Sequence, residues 1–407
     1  MTERLWNRDF VLSTIAGFFS AMVLYSTMTT MAVFSAEKLG VSESMAGFVA
    51  SIVMIGGVFG RLYSGRFLDR IGRRRITLLS AVLSAGMCLL YFIPAPLPVL
   101  LLICLAHGVI LGVLHNSMAI FVIDFIPPAR RAEGIGIFTL NFVLAIAFGP
   151  PLGIFLADRF SYNALWWANF GFALAALAIF AIVRIRKPVF TEEQRAQIYA
   201  KVRIRGFFEV SALPLAAMVF LQSLVYAAIT AFLETYAMDL AVPAAASAFF
   251  LIYGLCVLAS RPVAGRLIDR RGENFVMLPT ILAYAVSLAF IALSGFTFSG
   301  FAPGFAAKTA MLCAAAVMMA AGYGAILPLG QAIAVKRVEP HQFGAATTTY
   351  FVFSDAGMGV GALILGAVAG GTGFAPMYLI GAVLVIVSLL LYWTLHGRKV
   401  RKHKEAR

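Results

Sequence analysis

The chain has 407 residues, of which 61% are hydrophobic and 12% are charged, and its mean hydropathy is +0.92. A soluble globular domain carries roughly 25% charged residues. The chain therefore has too few polar side chains to cover a water-facing surface, which argues against a soluble protein with an oversized core. Most of its surface is expected to face lipid.

Twelve apolar stretches are each long enough to cross a bilayer. They predict an all-α integral membrane protein with twelve transmembrane helices, in which the lipid bilayer is a partner of the whole fold. In chain order the stretches cover about residues 9–36, 44–68, 74–94, 97–125, 132–158, 162–185, 209–237, 244–268, 275–297, 306–335, 342–371 and 374–396.

The net charge of +14 is explained by membrane topology. If the N-terminus is cytoplasmic, 29 of the 32 Lys and Arg residues fall in cytoplasmic segments, and only Lys38, Arg159 and Lys308 lie outside. Lys and Arg in short loops orient membrane proteins in this way. We expect both termini in the cytoplasm, a bacterial-type inner membrane as the location, and no binding of nucleic acid.

One charged sequence motif, the repeated phrase, occurs twice in the chain. "RLYSGRFLDRIG" (61–72) and "RPVAGRLIDRRG" (261–272) share six of twelve residues, and each closes the second span of a half. The basic stretch 184–206 separates the halves and is expected to be an interfacial helix or a solvated linker. Such a repeat predicts two six-helix pseudo-symmetric halves with a binding site between them near mid-depth. The predicted segments are 1–185 (N-terminal bundle), 186–208 (cytoplasmic linker), 209–397 (C-terminal bundle) and 398–407 (basic tail).

The span count, the basic central stretch and "GRFLDRIGRRR" together resemble the major facilitator superfamily. The loop signature of that family, Gly-x-x-x-Asp-Arg-x-Gly-Arg-Arg, is matched by Gly65, Asp69, Arg70, Gly72, Arg73 and Arg74. The resemblance covers essentially the whole chain. It implies a monomeric secondary transporter that moves a small-molecule substrate by alternating access.

A second motif resembles the drug:proton antiporter branch of that family. "FGPPLGIFLAD" in the fifth span matches the antiporter motif through Gly149, Pro150 and Gly153, although Ala145 and Ile154 stand where that motif has glycines. In the fourth span, Cys104 and His107 occupy the places of the Arg and Gln that usually begin the family motif. A proton-relay role of that arginine therefore does not carry over.

The repeated phrase predicts a gate at the cytoplasmic ends of the helices. Asp69 and Asp269 can each face the partially positive N-terminus of a neighbouring helix, which the resemblance places in the opposite half. Aligning the halves predicts one ion pair between Arg73 and Asp124 and a charge-exchanged pair between Glu273 and Lys336, unless the latter two are only solvated loop charges. The predicted gating residues are Gly65, Asp69, Arg70, Gly72, Arg73, Asp124, Gly265, Asp269, Arg270, Glu273 and Lys336.

Three titratable residues in spans are candidates for proton coupling. Asp355 alone among the 18 acidic residues lies near the middle of a predicted span, where desolvation disfavours its charged form and allows proton exchange. It can instead be a structural residue that caps or bridges helices. Glu234 is a second proton site or a rim residue. His115 is a titrating or substrate-binding group, or a buried histidine bonded to a neighbouring helix.

Polar residues in the apolar spans predict the substrate surface. Gln222, Tyr226, Thr230 and Glu234 recur every four residues and so share one face of the seventh span. A polar stripe of this kind is expected to face a cavity rather than lipid. The predicted substrate-binding residues are Tyr25, Ser26, Thr29, His115, Asn116, Asn141, Gln222, Ser223, Tyr226 and Thr230.

The residues together predict a proton-coupled secondary active transporter that exports a small organic compound. Proton-coupled import of a small polar solute such as an organic acid or sugar is the first alternative, and a non-transporting membrane sensor is the second. The sequence has no metal-ligand pair, Gly-x-Ser-x-Gly motif or phosphate loop. We therefore expect neither an enzyme nor a cofactor, and the energy source is expected to be an ion gradient and not ATP.

Overall fold

The structure is a computed structural model that describes residues 5–185, 190–199, 208–296 and 303–398. All regular elements in these ranges are helical. The α-helices are α1 (Arg8–Leu39), α2 (Glu43–Ile71), α3 (Arg73–Leu90), α4 (Leu97–Phe121), α5 (Arg131–Phe138), α6 (Leu140–Arg159), α7 (Tyr162–Ile182), α8 (Glu192–Tyr199), α9 (Leu213–Asp239), α10 (Pro243–Arg271), α11 (Glu273–Leu293), α12 (Phe305–Ala321), α13 (Tyr323–Lys336), α14 (Phe343–Thr372) and α15 (Phe374–Tyr392).

The predicted all-α transmembrane fold is confirmed. Within the described ranges, eleven helical segments are long and apolar enough to cross a membrane. The remaining predicted span corresponds to α3, whose 18 residues begin with three arginines and are therefore more polar. With α3 included, the helices match the twelve stretches that hydropathy predicts.

Two of the predicted spans are each divided into two helices. The stretch 132–158 forms α5 and α6, which separate at Thr139. The stretch 306–335 forms α12 and α13, which separate at Gly322, where the backbone leaves helical geometry (φ −85°, ψ −107°). A Cβ at Gly322 would lie 2.7 Å from Cα of Tyr284. The absence of a side chain at Gly322 therefore lets the break pack against α11.

The central basic stretch contains one short helix, α8, whose described side chains are largely exposed. Residues 186–189 and 200–207 of the predicted linker lie outside the described residues, as does the basic tail from residue 399. The domain boundaries predicted around these segments stay predictions.

The last glycine of each repeated phrase makes a turn between two helices. Gly72 (φ 104°) joins α2 to α3, and Gly272 (φ 96°) joins α10 to α11. Residues with a side chain rarely adopt such positive φ values. The N–H groups of Gly72 and Gly272 donate to Leu68 and Ile268, respectively, and so close the preceding helices. The glycines are required by this backbone geometry.

Two compact units make up the fold. The first, unit 1, comprises Met1–Pro128, Phe138–Phe208 and Val338–Thr348. In it α2 packs against α4, α3 against α4 and α7, and α1 against α6 and α7. Small residues bring α2 and α4 into backbone contact, since a Cβ at Gly112 would lie 2.7 Å from Cα of Gly57.

The second, unit 2, comprises Ala129–Ile137, Glu209–Arg337 and Thr349–Arg407. In it α10 packs against α12, α11 against α12 and α15, and α9 against α15. Four of the five pairings of unit 1 thus recur between helices at corresponding places in unit 2. The repeated phrase therefore belongs to a repeated packing scheme.

Candidate functional site

Arg73 is the centre of a buried charge cluster in unit 1. It is the first residue of α3, and its side chain is 1% exposed. Nε donates to Oδ1 of Asp69 at 2.7 Å, and Nη1 donates to Oδ2 of Asp124 at 2.6 Å. Nη2 lies 3.4 Å from the carbonyl oxygen of Pro340. One permanent cation therefore joins the end of α2, the turn after α4 and the approach to α14.

Glu273 is the centre of a cluster of opposite polarity in unit 2. It is the first residue of α11, and its side chain is 8% exposed. Lys336 Nζ lies 3.7 Å and Arg337 Nη2 3.6 Å from its carboxylate oxygens. The short contact is with Nε2 of His396, at 2.8 Å. We call Glu273, Lys336, Arg337 and His396 the Glu273 cluster.

Asp269 lies at the N-terminus of a short helix. Its carboxylate oxygens accept hydrogen bonds from the backbone N–H groups of Ala132 and Glu133, at 3.2 and 3.1 Å, in the first turn of α5. A negative charge is favourable there because the first N–H groups of a helix have no partner in the helix. Gly265 allows the approach, since a Cβ there would lie 2.5 Å from Cα of Glu133.

Glu133 adds an acidic centre beside Asp269. Its side chain is 3% exposed and accepts from Nε of Arg130 and from Nε of Arg266, both at 2.7 Å. A cavity of about 250 Å³ lies beside these pairs. Its lining consists of Ala129, Arg130, Glu133, Arg266, Asp269 and Arg270. The second phrase therefore contributes charged side chains both to a helix cap and to a polar cavity.

The remaining residues of the first phrase have packing contacts. The Thr348 side chain, in the part of α14 that belongs to unit 1, occupies the space that a Cβ at Gly65 would need. The guanidinium of Arg70 lies 5.3 Å from the centre of the Phe67 ring. Gly72 makes the α2–α3 turn described above. Each of these positions shapes the end of α2.

His115 and Asn116 are buried in α4 of unit 1. Nε2 of His115 lies 3.0 Å from the hydroxyl of Ser20, and its ring meets Phe142 edge-on. Asn116 donates to the hydroxyls of Ser64, at 2.8 Å, and Thr348, at 2.9 Å. Both residues therefore contact neighbouring helices. For His115 this matches one of its predicted roles, a buried histidine bonded to a neighbouring helix.

Asn141 differs from the other buried amides of unit 1. The residue is 1% exposed. Neither its amide nitrogen nor its amide oxygen has a hydrogen-bond partner within the described part of the chain. The amide lies against α1 at Gly17 and near the end of the Met118 side chain. An unpaired buried amide costs free energy, so this position has capacity for a polar ligand.

The antiporter-like motif packs α6 onto α1. A Cβ at Gly149 would lie 3.0 Å from Cβ of Tyr25, and one at Gly153 would lie 2.9 Å from the Thr30 methyl group. Pro150 lies between these glycines and is half-buried. Ser26, on the same part of α1, donates to the Asn169 amide oxygen at 2.6 Å. Tyr25 and Thr29 of α1 are half-buried.

The polar stripe on α9 is divided between different surroundings. Gln222 is fully buried and donates to Ser388 of α15 at 3.0 Å. Tyr226 stacks on Tyr323, with ring centres 4.1 Å apart. Thr230 and Glu234 are exposed. The four residues share one sequence period, but Gln222 is part of a helix contact and not of an open face.

Ser223 and Ser354 form a hydroxyl cluster with Tyr323. Ser223 lies 2.9 Å from Ser354 and 3.1 Å from the Tyr323 hydroxyl. Asp355 follows Ser354 in α14 and is half-buried. Asp355 is therefore the neighbour in sequence of a buried set of hydroxyls that joins α9, α13 and α14.

Several residues of these clusters are absent from the sequence-based candidates, among them Glu133, His396 and Asn169. Glu133 and His396 lie near the ends of apolar stretches, where a polar residue resembles an ordinary helix end. Asn169 interrupts the apolar stretch of α7, and this was the available signal for its contact with Ser26. The spacing of three residues between Arg130 and Glu133 is typical of a helical ion pair. No such spacing relates His396 to Glu273 or Asn169 to Ser26.

Comparisons with known proteins agree on one family. The family model described as Major Facilitator Superfamily matches residues 13–307 and 289–407. The chain is 28% identical over 383 residues to the uncharacterized MFS-type transporter YhhS of Escherichia coli (strain K12), covering 91% of this chain and 88% of the relative. It is 24% identical over 407 residues to the multidrug resistance protein MdtG of Dickeya zeae (strain Ech586), covering 97% and 96%.

Solved structures show the same fold. The proton:xylose symporter XylE superposes with a TM-score of 0.74 at 12% identity, covering 95% of each chain. The human organic anion transporter MFSD10 superposes with a TM-score of 0.69 at 16% identity, covering 94% of this chain and 99% of the other. At these identities the similarity concerns the fold alone.

Proposed function

Because the chain belongs to the major facilitator superfamily, we propose that it is a proton-coupled secondary active transporter that exports a small organic compound by alternating access. The observation that carries this proposal is a set of polar side chains within apolar membrane helices. Polar groups at such positions are costly, and they mark substrate and ion pathways in membrane proteins.

Asn141 and His115 are the proposed substrate contacts in unit 1. Asn141 has one amide oxygen and one amide nitrogen to offer to a ligand, because neither has a hydrogen-bond partner in the described residues. His115 contacts Ser20 through Nε2, and its second ring nitrogen, Nδ1, is the atom proposed to contact the ligand. An organic compound with both hydrogen-bond donors and acceptors suits this pair. Tyr25, Ser26, Thr29 and Asn116 are further proposed contacts in the same unit. Ser223, Tyr226 and Thr230 are the proposed contacts in unit 2, and Gln222 is left out because it is buried against Ser388.

Asp355 is the proposed proton-coupling residue. It is half-buried in the interior of α14, next to the hydroxyl cluster of Ser223, Ser354 and Tyr323. Ionisable groups within membrane helices are costly to bury and mark proton pathways in transporters. Glu234 is exposed on α9 and is the second candidate, and His115 is the third.

The two ion clusters are the proposed gates. In each, the first residue of a helix is buried and collects side chains of opposite charge from other segments. The free energy of the protein rises sharply when helix movement separates such a pair, because a buried charge then loses its partner. The cap that Asp269 provides to α5 is a third proposed gate contact, in which a carboxylate accepts from backbone N–H groups.

Export is supported by the antiporter-like motif in α6 and by the name of one relative, the multidrug resistance protein MdtG. Import of a small polar solute is the second candidate, and the buried hydroxyl and amide groups favour it. Export means movement away from the cytoplasm, and the side of the protein that faces the cytoplasm follows from the predicted location of both termini. That prediction rests on the distribution of Lys and Arg.

The test uses the full chain in proteoliposomes loaded with a pH-sensitive dye. Drugs, amino-acid-derived chelators, sugars and organic acids are added in turn to wild type, Asp355→Asn and Asp158→Asn. Asp158 is exposed near the end of α6 and serves as the matched control. The proposal expects a substrate-dependent pH change that Asp355→Asn abolishes and Asp158→Asn retains.

The other outcomes are informative in different ways. An equal signal in wild type and Asp355→Asn would remove Asp355 from coupling while keeping the coupling itself. Substrate uptake into the vesicles without any pH change would contradict proton coupling. The direction in which protons move relative to the imposed substrate gradient would separate antiport, which suits export, from symport, which suits import.

A further inference from the structure

Three arginines and two carboxylates line the cavity beside the cap on α5. Arg130 precedes α5, whereas Arg266 and Arg270 belong to the last turns of α10. The carboxylates are those of Glu133, in α5, and Asp269, in α10. Three positive and two negative charges give the lining a formal charge of +1. All of these residues belong to unit 2, so the cavity is formed within one compact unit.

The two carboxylates are already paired within the protein. Asp269 accepts from the backbone N–H groups at the start of α5. Glu133 accepts from Nε and Nη2 of Arg130, at 2.7 and 2.8 Å, and from Nε of Arg266, at 2.7 Å. These bonds hold the two guanidinium groups at the cavity wall. Since each guanidinium has five N–H donors, both keep donors for a further acceptor.

Arg270 adds a guanidinium that no carboxylate neutralises. The residue is exposed, and it makes no hydrogen bond or ion pair with the part of the chain that the structure describes. Its neighbour Arg271 differs, because the Arg271 guanidinium lies over the Phe275 ring, 4.9 Å from the ring centre. Arginine suits phosphate, since its planar donors can bind two phosphate oxygens at once. The cavity thus offers donors and an uncompensated positive charge to a phosphate group.

An exposed apolar stripe on α10 leads to these arginines. Leu251, Leu255 and Val263 are exposed and lie four and eight residues apart, so they share one face of the helix. Arg266 and Arg270 follow Val263 after three and seven residues and continue that face. The face is therefore apolar along most of α10 and basic at its last turns. An acyl chain and an anionic headgroup follow one another in the same order across one leaflet of a membrane.

The basic end of the stripe lies on the side of the membrane that suits an anionic headgroup. The distribution of Lys and Arg along the chain predicts that the end of α10 is cytoplasmic. The cytoplasmic leaflet carries anionic lipids, which attract basic side chains close to the membrane surface. The predicted orientation therefore brings the cavity to the level of these headgroups.

The equivalent arginines of the first phrase are placed differently. Arg66 and Arg70 are half-buried, and the Arg70 guanidinium lies over the Phe67 ring. Arg266 and Arg270 are exposed. The repeat thus keeps both charges in each unit, and it exposes them in unit 2.

We propose that this cavity binds the phosphate group of an anionic phospholipid, whose acyl chains lie along the apolar stripe of α10. A volume of about 250 Å³ equals the liquid volume of roughly eight water molecules and accommodates a phosphate group. The phosphate receives hydrogen bonds from Arg266 and Arg270 and from the remaining donors of Arg130. Because these arginines come from α10 and from the approach to α5, the bound lipid joins the two segments. The inference does not depend on which substrate the protein transports or in which direction.

The test measures binding of phosphatidylglycerol to the full-length protein in detergent micelles by native mass spectrometry. Titration gives the affinity of each bound lipid, and phosphatidylcholine with the same acyl chains is the zwitterionic comparison. One phosphatidylglycerol is expected to bind several-fold more tightly than any phosphatidylcholine. Arg270→Gln is expected to weaken this binding about fivefold, the contribution of one basic residue near an anionic surface. Since Arg270 has no partner within the described residues, this variant is expected to keep the wild-type Tm in phosphatidylcholine.

Arg75→Gln is the matched control for Arg270→Gln. Arg75 is an exposed arginine in the first turn of α3, in unit 1, and the same side of the membrane is predicted for it. The control removes the same charge from the protein but leaves the cavity unchanged, so it is expected to keep tight binding of phosphatidylglycerol. An equal loss of affinity in Arg75→Gln and Arg270→Gln would overturn the proposal, and so would an unchanged affinity in Arg270→Gln.

Two competitors separate a lipid from a soluble phosphate. Inorganic phosphate and glycerol 1-phosphate are each added in excess to the complex of the protein with phosphatidylglycerol. Neither is expected to displace the lipid, because neither has acyl chains for the apolar stripe. Displacement by either compound would assign the cavity to a soluble phosphate and overturn the lipid. Equal affinity of wild type for phosphatidylglycerol and phosphatidylcholine would overturn the anionic class. None of these measurements needs a transported substrate, so they stay interpretable if the proposed transport function fails.

Discussion

Arg73 and Glu273 hold equivalent positions in the two repeats, each as the buried first residue of a helix, and they carry opposite charges. The helix dipole favours Glu273 at such an N-terminus and opposes Arg73. Arg73 correspondingly has two carboxylates at hydrogen-bond distance, from Asp69 and Asp124. Glu273 has one short contact, with His396, and two longer ones, with Lys336 and Arg337. The residue that the helix dipole opposes thus has two close partners of opposite charge.

The first prediction concerns the pair of Arg73 and Asp124. Arg73→Asp is expected to impair transport severely and to lower the free energy of unfolding by about 3 kcal/mol, because it removes one partner of a buried pair. Adding Asp124→Arg is expected to restore part of both. Rescue stays partial because Asp69 then faces a new carboxylate at position 73. The measurements are the transport rate and Tm of the single and double variants. A double variant whose transport rate and Tm do not exceed those of Arg73→Asp would contradict the pairing.

The second prediction concerns the unpaired amide of Asn141. Asn141→Leu keeps the branching at Cγ and removes two buried polar atoms without partners. It is expected to raise the free energy of unfolding by about 1 kcal/mol and to reduce the transport rate or substrate affinity. The measurements are Tm and the concentration dependence of transport. A variant that is more stable and transports normally would remove Asn141 from the substrate surface.

Asn169→Leu is the matched control for Asn141→Leu. Asn169 is equally buried, but it accepts from Ser26 at 2.6 Å and donates to Thr27 at 3.0 Å. Its replacement removes the hydrogen bond to the Thr27 hydroxyl and one of the acceptors of Ser26, which also contacts the carbonyl oxygen of Met22. It is expected to lower the free energy of unfolding by about 1–3 kcal/mol. Opposite signs for the two variants would show that pairing, and not burial alone, sets the cost of an amide in these helices.

The third prediction concerns the glycine of the second phrase. Gly265→Ala places a methyl group 2.5 Å from Cα of Glu133 and 2.7 Å from the carbonyl oxygen of Ala132. Because both are backbone atoms, α5 must move, and the expected loss is about 1–3 kcal/mol of stability. Gly254→Ala in the same helix meets nothing within 4 Å in the described structure and is expected to gain about 0.5 kcal/mol. Tm values of the two variants test the difference, and equal values would contradict it.

The fourth prediction concerns the cap on α5. Asp269→Asn removes the charge and one of two acceptors that now serve the N–H groups of Ala132 and Glu133. A loss of about 1 kcal/mol is expected from a weakened N-terminal cap. Faster hydrogen exchange in the first turn of α5 would show that the loss is local. Unchanged exchange there would exclude Asp269 as the capping residue.

The sequence by itself determined the membrane character, the helix count and the repeat. These properties follow from hydropathy along the chain and from the period of the helix, which are local quantities. The alignment of the two halves also named Arg73 with Asp124 and Glu273 with Lys336 as pairs. It could do so because a repeat reports which positions are equivalent, even when their spatial neighbours are unknown.

Only the tertiary structure decided which face of each helix meets which neighbour. The helical period places Gln222 and Glu234 on one face, yet Gln222 is buried against Ser388 and Glu234 is exposed. The period likewise gives no means of telling the unpaired Asn141 from the paired Asn169. The partner of Glu273 at 2.8 Å is 123 residues away, at the end of the last helix. Such contacts depend on the rotation and depth of separate helices, which are set by packing and not by any pattern within one helix.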